Sequence, residues 1–221
     1  MRFYWIVVVI LLGGCAARQK ISISEPTCLQ QCRVDTIVDF DRATKGILIP
    51  DLGISRPMPA TELQFIGCLL ADDGYTKTGC LMPGAASDLA RMLEAYQQDR
   101  GLPLEVLSSY RSVKSQIDLV NKFRKAGKSW EEIYESIAPP GYSDHQTGLA
   151  VDLCSAGSEN VTCKPAFDWL AAHAHEYGFE LRYPYCDASR NEGQFKQEPW
   201  HYLWKGIGLA RKVELEDCES D

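Results

Sequence analysis

Apolar positions recur at helical spacing in several stretches of this chain and shorten to strand-length runs between them. In SDLARMLEAYQQDRG (87–101), Leu89, Met92, Leu93 and Tyr96 share one helical face. Ser87 is placed to cap that helix and Gly101 to end it. Val113, Ile117, Val120 and Phe123 form the stripe of a second helix, capped by Ser112 and ending near Gly127. Ser129 and Glu132 make a capping box for a short third helix, which Pro139 and Pro140 stop. Pro165 can open a fourth, with Phe167, Leu170, Ala171, Ala174 and Tyr177 inward and Gly178 at its end. ELQFIGCLL (62–70), LPLEVLSS (102–109), FELRY (179–183) and WHYLW (200–204) read as strands. The last strands lack long helical crossovers. The pattern therefore predicts an α+β fold, an antiparallel sheet flanked by helices, rather than a parallel doubly wound sheet. No internal repeat is visible, and residues 15–60 are weakly patterned and read as a tether with irregular packing.

The first residues change the picture of where the chain works. MRFYWIVVVILLGGC has one basic residue, Arg2, and an apolar run too short to span a bilayer comfortably. Its end, Leu12-Gly13-Gly14-Cys15, resembles the lipobox of bacterial lipoproteins, which implies cleavage before Cys15 and lipidation of its thiol. An ordinary signal peptide or anchor with an incidental cysteine is the alternative. Ala16 would, by the usual bacterial sorting rule, not hold the lipoprotein at the inner membrane. The expected organisation is a signal peptide over 1–14, a tether and extension over 15–60, and one catalytic domain over 61–221.

With 221 residues, 45% apolar and 24% charged, the chain can build one sizeable core. Its net charge of -7 argues against nucleic acid or anionic headgroups as the main partner. Removing residues 1–14 takes away Arg2 and no acid, so the mature chain is more acidic still. Besides Cys15 there are eight cysteines, at 28, 32, 68, 80, 154, 163, 186 and 218. An even count in an exported chain suggests disulfides. Two local pairs are expected: Cys68 with Cys80, flanking the Asp73-Gly74 hairpin signal, and Cys154 with Cys163, flanking a polar loop. A zinc cluster around Cys28 and Cys32 is the alternative, but no second tight pair or nearby histidine completes it.

Candidate chemistry begins in GYSDHQTGLAVDLC (141–154). His145 and Asp152 would face opposite ways along an unbroken strand, and Gly148 can supply the bend that lets both point into one site. Asp152 interrupts an apolar run, where a carboxylate is costly unless paired or bound to metal. A buried Asp satisfied by backbone donors is the alternative. QEPWHYLW then supplies Glu198 and His201. Two histidines, one aspartate and an open position suit a catalytic zinc that keeps a water. Glu198 fits a carboxylate that takes that water's proton and passes it to a leaving amine. An extended chain would separate Glu198 from His201, so Pro199 is expected to set Glu198 on a turn. Arg111, in SSYRS at a strand-to-helix junction, could bind a substrate carboxylate or stabilise charge on a tetrahedral intermediate. An arginine merely at the surface is the alternative. His173 and His175, two apart on a helix, share no face and read as surface residues.

SSYRSVKSQ, PGYSDHQTGLAVDLC, WLAAHAHEYGFELRYP and EPWHYLW, in this order, resemble the VanY-like D-alanyl-D-alanine carboxypeptidases, zinc peptidases with a Hedgehog-like, DD-peptidase-like fold. The resemblance covers residues 85–208. It implies zinc held by His145, Asp152 and His201, Glu198 as the catalytic base, and a substrate pocket lined by Arg111, Gln116 and Ser143. It also implies removal of a terminal D-alanine from peptidoglycan stem peptides, with D,D-carboxypeptidase action favoured over L,D-carboxypeptidase or D,D-endopeptidase action. Three positions depart from the usual family pattern: Ser109 for a glycine, Asp144 for a glutamate, and Leu203 for an arginine. The rival reading is a non-catalytic peptidoglycan-binding lipoprotein that retains the fold.

Overall fold

The computed structural model describes residues 32–34, 39–66, 79–155 and 163–218. The lipobox, the Asp73-Gly74 turn, Cys28 and Cys68 lie outside the described residues. The first helix among the described residues is short, Phe40–Ala43 (α1), and is capped by the Asp39 carboxylate. Two short strands follow, Gln64–Phe65 (β1) and Cys80–Leu81 (β2), paired antiparallel. Of the strand expected over 62–70, only Gln64–Phe65 is a strand among the described residues.

Helix α2 (Pro83–Arg100) starts four residues before the expected cap, so Ser87 lies inside it. Pro83 needs no N–H partner in the first turn. The small residues after it let that turn press inward: Ala85 and Ala86 are fully buried, and a side chain at Gly84 would strike the Trp204 ring. Gly101, left-handed at φ 71°, ends the helix as its sequence position predicts. Strand β3 (Leu104–Ser108) leads into α3 (Val113–Lys125), which Ser112 caps by accepting from the Ser115 N–H. The capping box of Ser129 and Glu132 opens α4 (Trp130–Tyr134). A 3₁₀ turn, Asp144–Thr147, precedes β4 (Ala150–Ser155). Helix α5 (Lys164–His173) tightens into a 3₁₀ turn over Ala174–Tyr177 before Gly178 closes it. Strand β5 (Phe179–Tyr183) and strand β6 (Glu198–Trp204) follow, with two short 3₁₀ turns between them.

The four long strands form one antiparallel sheet in the order β3-β4-β6-β5. Chain order and spatial order differ because β6 inserts between β4 and β5. One face of the sheet meets α2 and α5. Val151, Leu153, Leu181 and Tyr202 from the strands pack there with Leu89, Met92, Tyr96 and Leu170. Tyr96 and Trp169 lock the two helices together edge-to-face at 5.2 Å. The other face carries Asp152 and His201, because side chains alternate along each strand.

Three disulfides join described cysteines. Cys154–Cys163 is the expected local pair. Cys80 is bonded to Cys32 and not to Cys68. The β1–β2 register explains this: the residue opposite Cys80 is Phe65, so Cys68 is not its cross-strand neighbour. Cys186–Cys218 fixes the C-terminal segment beside β5, where the Glu216 N–H donates to the Pro184 carbonyl. Residues 39–60 pack irregularly but through specific contacts. Arg56 stacks on Phe40 at 3.7 Å, Tyr134 donates to the Leu48 carbonyl, and the Ala60 N–H donates to the Gln146 carbonyl.

Candidate active site

Asp152 and His201 are register partners across β4 and β6, so both project from one face without any special bend. Their contact is short, with His201 Nδ1 2.9 Å from Asp152 Oδ1. His145 arrives from the 3₁₀ turn just before β4. Gly148 makes that delivery possible: it is left-handed at φ 67°, and a Cβ there would sit 2.9 Å from Leu63 Cδ2 and 3.2 Å from Met82 Cγ. His145 Nε2 then lies 3.3 Å from Asp152 Oδ2, while its Nδ1 donates to the Ser109 carbonyl at 2.7 Å.

That last bond fixes the tautomer. With its proton on Nδ1, His145 turns a lone pair on Nε2 toward a carboxylate oxygen, and two acceptors face each other. A cation between them removes the conflict. The ligand atoms of His145, Asp152 and His201 lie within 4.8 Å of one another, the only such group of three or more among the described residues. Their nitrogen and oxygen donors, from two buried histidines and a half-buried aspartate held close together, fit a divalent metal.

Electrostatics agree with the geometry. Burial alone would lower the His201 pKa, but contacts with Asp144, Asp152 and Glu198 outweigh it and push it up to about 10. The negative field that holds a proton there would equally hold a metal cation. Asp152 is drawn well below the usual carboxylate range: burial opposes this, and His145 and His201 overcome it. Burial lowers the His145 pKa, against the pull of Asp152. Burial raises Glu198 to about 7, helped by Asp152 and Asp144 and opposed by His201 and Arg111.

Glu198 is not on a turn. It is the first residue of β6, and a bulge brings it to His201 instead: Leu181 pairs with Tyr202, but Tyr183 pairs with Glu198. The extra residues of β6 in that interval bring Glu198 Oε2 to 3.9 Å from His201 Nδ1. Pro199 fits because a bulge needs no ladder N–H at every position.

Arg111 sits at the β3–α3 junction, with its guanidinium donating to Gln116 Oε1 at 3.0 Å and Ser108 Oγ at 2.9 Å. Burial lowers its pKa, while Asp152 and Glu198 raise it. Gln116 is fully buried and its Nε2 donates to the Ala138 carbonyl, so this amide orients Arg111 and carries it to the α4 side of the site. All seven residues singled out in the sequence around this chemistry, Arg111, Gln116, Ser143, His145, Asp152, Glu198 and His201, line one cavity of about 290 Å³. Leu119, Phe123, Ile137 and Trp200 give it an apolar wall. His173 and His175 are half-buried on the far helix and do not line it.

Three contributors were not assigned a role from sequence. Asp144 lies behind His201, with Oδ2 3.6 Å from Nε2, and accepts from Arg182 Nε at 3.0 Å. Arg182 was visible only as a polar position in the alternation of FELRY. Ser109 replaces a small residue without crowding because Gly79 faces it: a side chain on Gly79 would overlap the Ser109 hydroxyl, which accepts instead from the Cys80 N–H at 3.1 Å.

Known proteins with related chains fit this arrangement. A D-alanyl-D-alanine carboxypeptidase from Enterococcus faecalis is 32% identical over 133 residues, 57% of this chain and 48% of that protein. The crystal structure of the vancomycin-resistance D,D-pentapeptidase VanY from a VanB-type cassette, a complex with Zn(II), superposes with a TM-score of 0.53 at 27% identity, covering 70% of this chain and 86% of that one. The L,D-carboxypeptidase LdcB superposes with a TM-score of 0.51 at 30% identity, covering 58% and 61% of the two chains. The chain spans about half the length of curated relatives it matches, such as the Enterococcus faecalis protein and a Bacillus subtilis putative carboxypeptidase. The model of the family described as VanY, D-alanyl-D-alanine carboxypeptidase, matches residues 79–207. That stretch takes in the whole four-stranded sheet and every residue lining the cavity, and on that match the chain belongs to the VanY D-alanyl-D-alanine carboxypeptidase family.

Proposed function

We propose that this chain is a zinc-dependent carboxypeptidase that removes a terminal D-alanine from peptidoglycan stem peptides, acting mainly as a D,D-carboxypeptidase. The observation that carries the proposal is the convergence of His145, Asp152, His201, Glu198 and Arg111 on one cavity. His145 through Nε2, Asp152, and His201 through Nδ1 would hold the ion. Bound zinc would supply a Lewis acid and lower the pKa of a water in its open position.

The remaining steps belong to the chain. Glu198 is close enough to the ligand cluster to accept a proton from the attacking water and return it to the departing amine. A nearby cation would draw its pKa down from about 7, keeping it ready as a base. Arg111 is the one cationic side chain lining the cavity among the described residues, apart from the histidines. Its two roles are binding the substrate carboxylate and stabilising the charge that develops at the scissile carbonyl. The apolar wall accommodates a small side chain such as alanine's and excludes water around it.

The likeness to LdcB supports L,D-carboxypeptidase action as a second reading. One experiment separates the reactions: zinc-loaded protein is incubated with penta-, tetra- and crosslinked muropeptides and the products weighed by mass spectrometry. Loss of D-alanine from the pentapeptide supports the main proposal. Loss from the tetrapeptide alone favours the L,D reading, and cleavage of crosslinks the endopeptidase. No cleavage with zinc bound rejects catalysis and leaves a peptidoglycan-binding lipoprotein.

Export completes the proposal: lipidation at Cys15 would hold the domain in the periplasm or at the cell envelope, at the outer membrane of a Gram-negative cell. The support is the Leu12-Gly13-Gly14-Cys15 sequence. Cells fed labelled palmitate should label the wild-type protein and not Cys15→Ser; equal labelling excludes Cys15 as the anchor.

A further inference from the structure

His201 has two ring nitrogens with opposite tasks. Nδ1 points to Asp152 and Glu198, into the ligand cluster. Nε2 points the other way, is buried, and has no hydrogen-bond partner within ordinary reach. The nearest acceptor is Asp144 Oδ2 at 3.6 Å, within ion-pair distance and just beyond a hydrogen bond.

Asp144 is itself tightly held. Arg182 Nε donates to its Oδ2 at 3.0 Å, and Tyr183 Oη donates to the same oxygen at 3.3 Å. Arg182 is anchored on its other side by Glu192, while the Tyr183 ring stacks on the His201 ring at 5.3 Å. Asp144, Tyr183 and His201 are buried together. Arg182 and Tyr183 offset the cost of enclosing this carboxylate and keep it charged beside His201 Nε2.

We propose that Asp144 is a positioning residue for the metal site, holding the His201 proton on Nε2 so that Nδ1 is free to bind the ion, with Arg182 fixing Asp144 in place. The inference rests on the ligand assignment made above. Asp144 does not act as a fourth ligand. It faces the nitrogen that points away from the cluster, and its near oxygen is already shared by Arg182 and Tyr183. His145 is served differently, by a backbone carbonyl, at 2.7 Å from Ser109. The two histidines are thus oriented by different chemistry: a neutral dipole for His145 and a full charge for His201. A carboxylate behind a ligating histidine raises its basicity and fixes its ring.

The test uses the full mature chain with zinc and with cobalt(II) as probes. Chelator competition reads the zinc Kd, the cobalt absorption band reads ligand geometry, and the Tm of the metal-free protein reads folding. Asp144→Ala should bind zinc about 10- to 100-fold more weakly. Asp144→Asn, which keeps the shape and loses the charge, should weaken it about tenfold and shift the cobalt band. Asp144→Glu should recover part of the affinity, and Arg182→Gln should give a smaller loss in the same direction. Zinc affinity and cobalt band unchanged in Asp144→Asn would overturn the proposal. If Asp144→Asn does not fold, Arg182→Gln decides: an unchanged zinc Kd there rejects it. Wild-type protein that binds neither ion defeats the ligand assignment itself, an outcome distinct from a variant that matches a zinc-binding wild type.

Discussion

The ligands of the candidate metal site come from two regions built on different principles. Asp152 and His201 ride on adjacent central strands, one opposite the other, with the hydrophobic core directly beneath them. Their spacing is a property of the sheet, and moving it means breaking ladder hydrogen bonds. His145 rides on a single 3₁₀ turn. That turn is held by a handful of local contacts: the left-handed Gly148, the Arg111 N–H donating to the His145 carbonyl at 3.1 Å, and the buried Gln146. Gln146 Nε2 donates both to the Pro57 carbonyl at 2.8 Å and to the Gly141 carbonyl at 2.9 Å. The sheet arm is therefore tied to global stability, and the turn arm to contacts that include residues 39–60, ahead of the family-matched stretch. The two arms should respond differently to mutation.

The most drastic changes remove a ligand. His145→Ala and His201→Ala should each lose stoichiometric zinc and reduce D-alanine release to background. Metal analysis of the purified proteins checks this, and zinc content equal to wild type in either variant rejects that residue as a ligand. Glu198→Gln should behave differently, retaining zinc while kcat drops by about 10²–10⁴-fold, the usual range for a general base. Zinc loss in that variant would move Glu198 from proton transfer to metal binding.

Leu153→Ala probes the sheet arm without touching the site. Leu153 is fully buried on the core face, next in sequence to Asp152. Truncating it should cost about 2–5 kcal/mol, lowering Tm by about 2–4 °C for each kcal/mol in a domain of this size. The zinc Kd of the folded fraction should stay at the wild-type value. A weakened Kd would show that sheet packing and ligand geometry are coupled more closely than their placement on opposite faces implies. Gly148→Ala probes the turn arm. It forces a left-handed alanine, at a cost of about 1–2 kcal/mol, and drives a Cβ toward Leu63 and Met82. Here zinc affinity should fall together with Tm, because the strained residue sets the path of His145.

How far the sequence revealed these two arms also differs. Asp152 and His201 are readable as a polar residue in an apolar strand and a histidine among aromatics, while their shared face comes from the β4–β6 register, which joins strands far apart in the chain. Gly148 was readable as the bend, because a glycine between a polar turn and a strand has few other uses. The helix ends at Gly101, Ser112 and Ser129 followed from capping chemistry, which is local. What could not be read depended on distant partners. Helix α2 begins at Pro83 and not after a Ser87 cap, in line with Gly84 packing against Trp204 from a distant part of the chain. Glu198 reached the site through a bulge whose existence depends on pairing with β5. The Cys32–Cys80 bond and the Asp144–Arg182 pair join residues with no sequence relation to one another.

Residues 39–60 pack irregularly, and the smallest of the predicted effects addresses them. Their weak pattern reads as a tether with irregular packing, and what it does not show is the partner: Pro57 and Ala60 both bond to Gln146, next to a candidate metal ligand. Gln146→Ala leaves the Pro57 and Gly141 carbonyls without their side-chain donor, a loss of about 1–3 kcal/mol if no water replaces it. If the extension only covers the domain, Tm should fall and the zinc Kd should not change. If it steadies the turn arm, the zinc Kd should weaken about severalfold with a Tm drop smaller than that of Leu153→Ala. The turn-arm account predicts the second result, since the Gln146 carbonyl and side chain are the points where residues 39–60 grip the loop that carries His145.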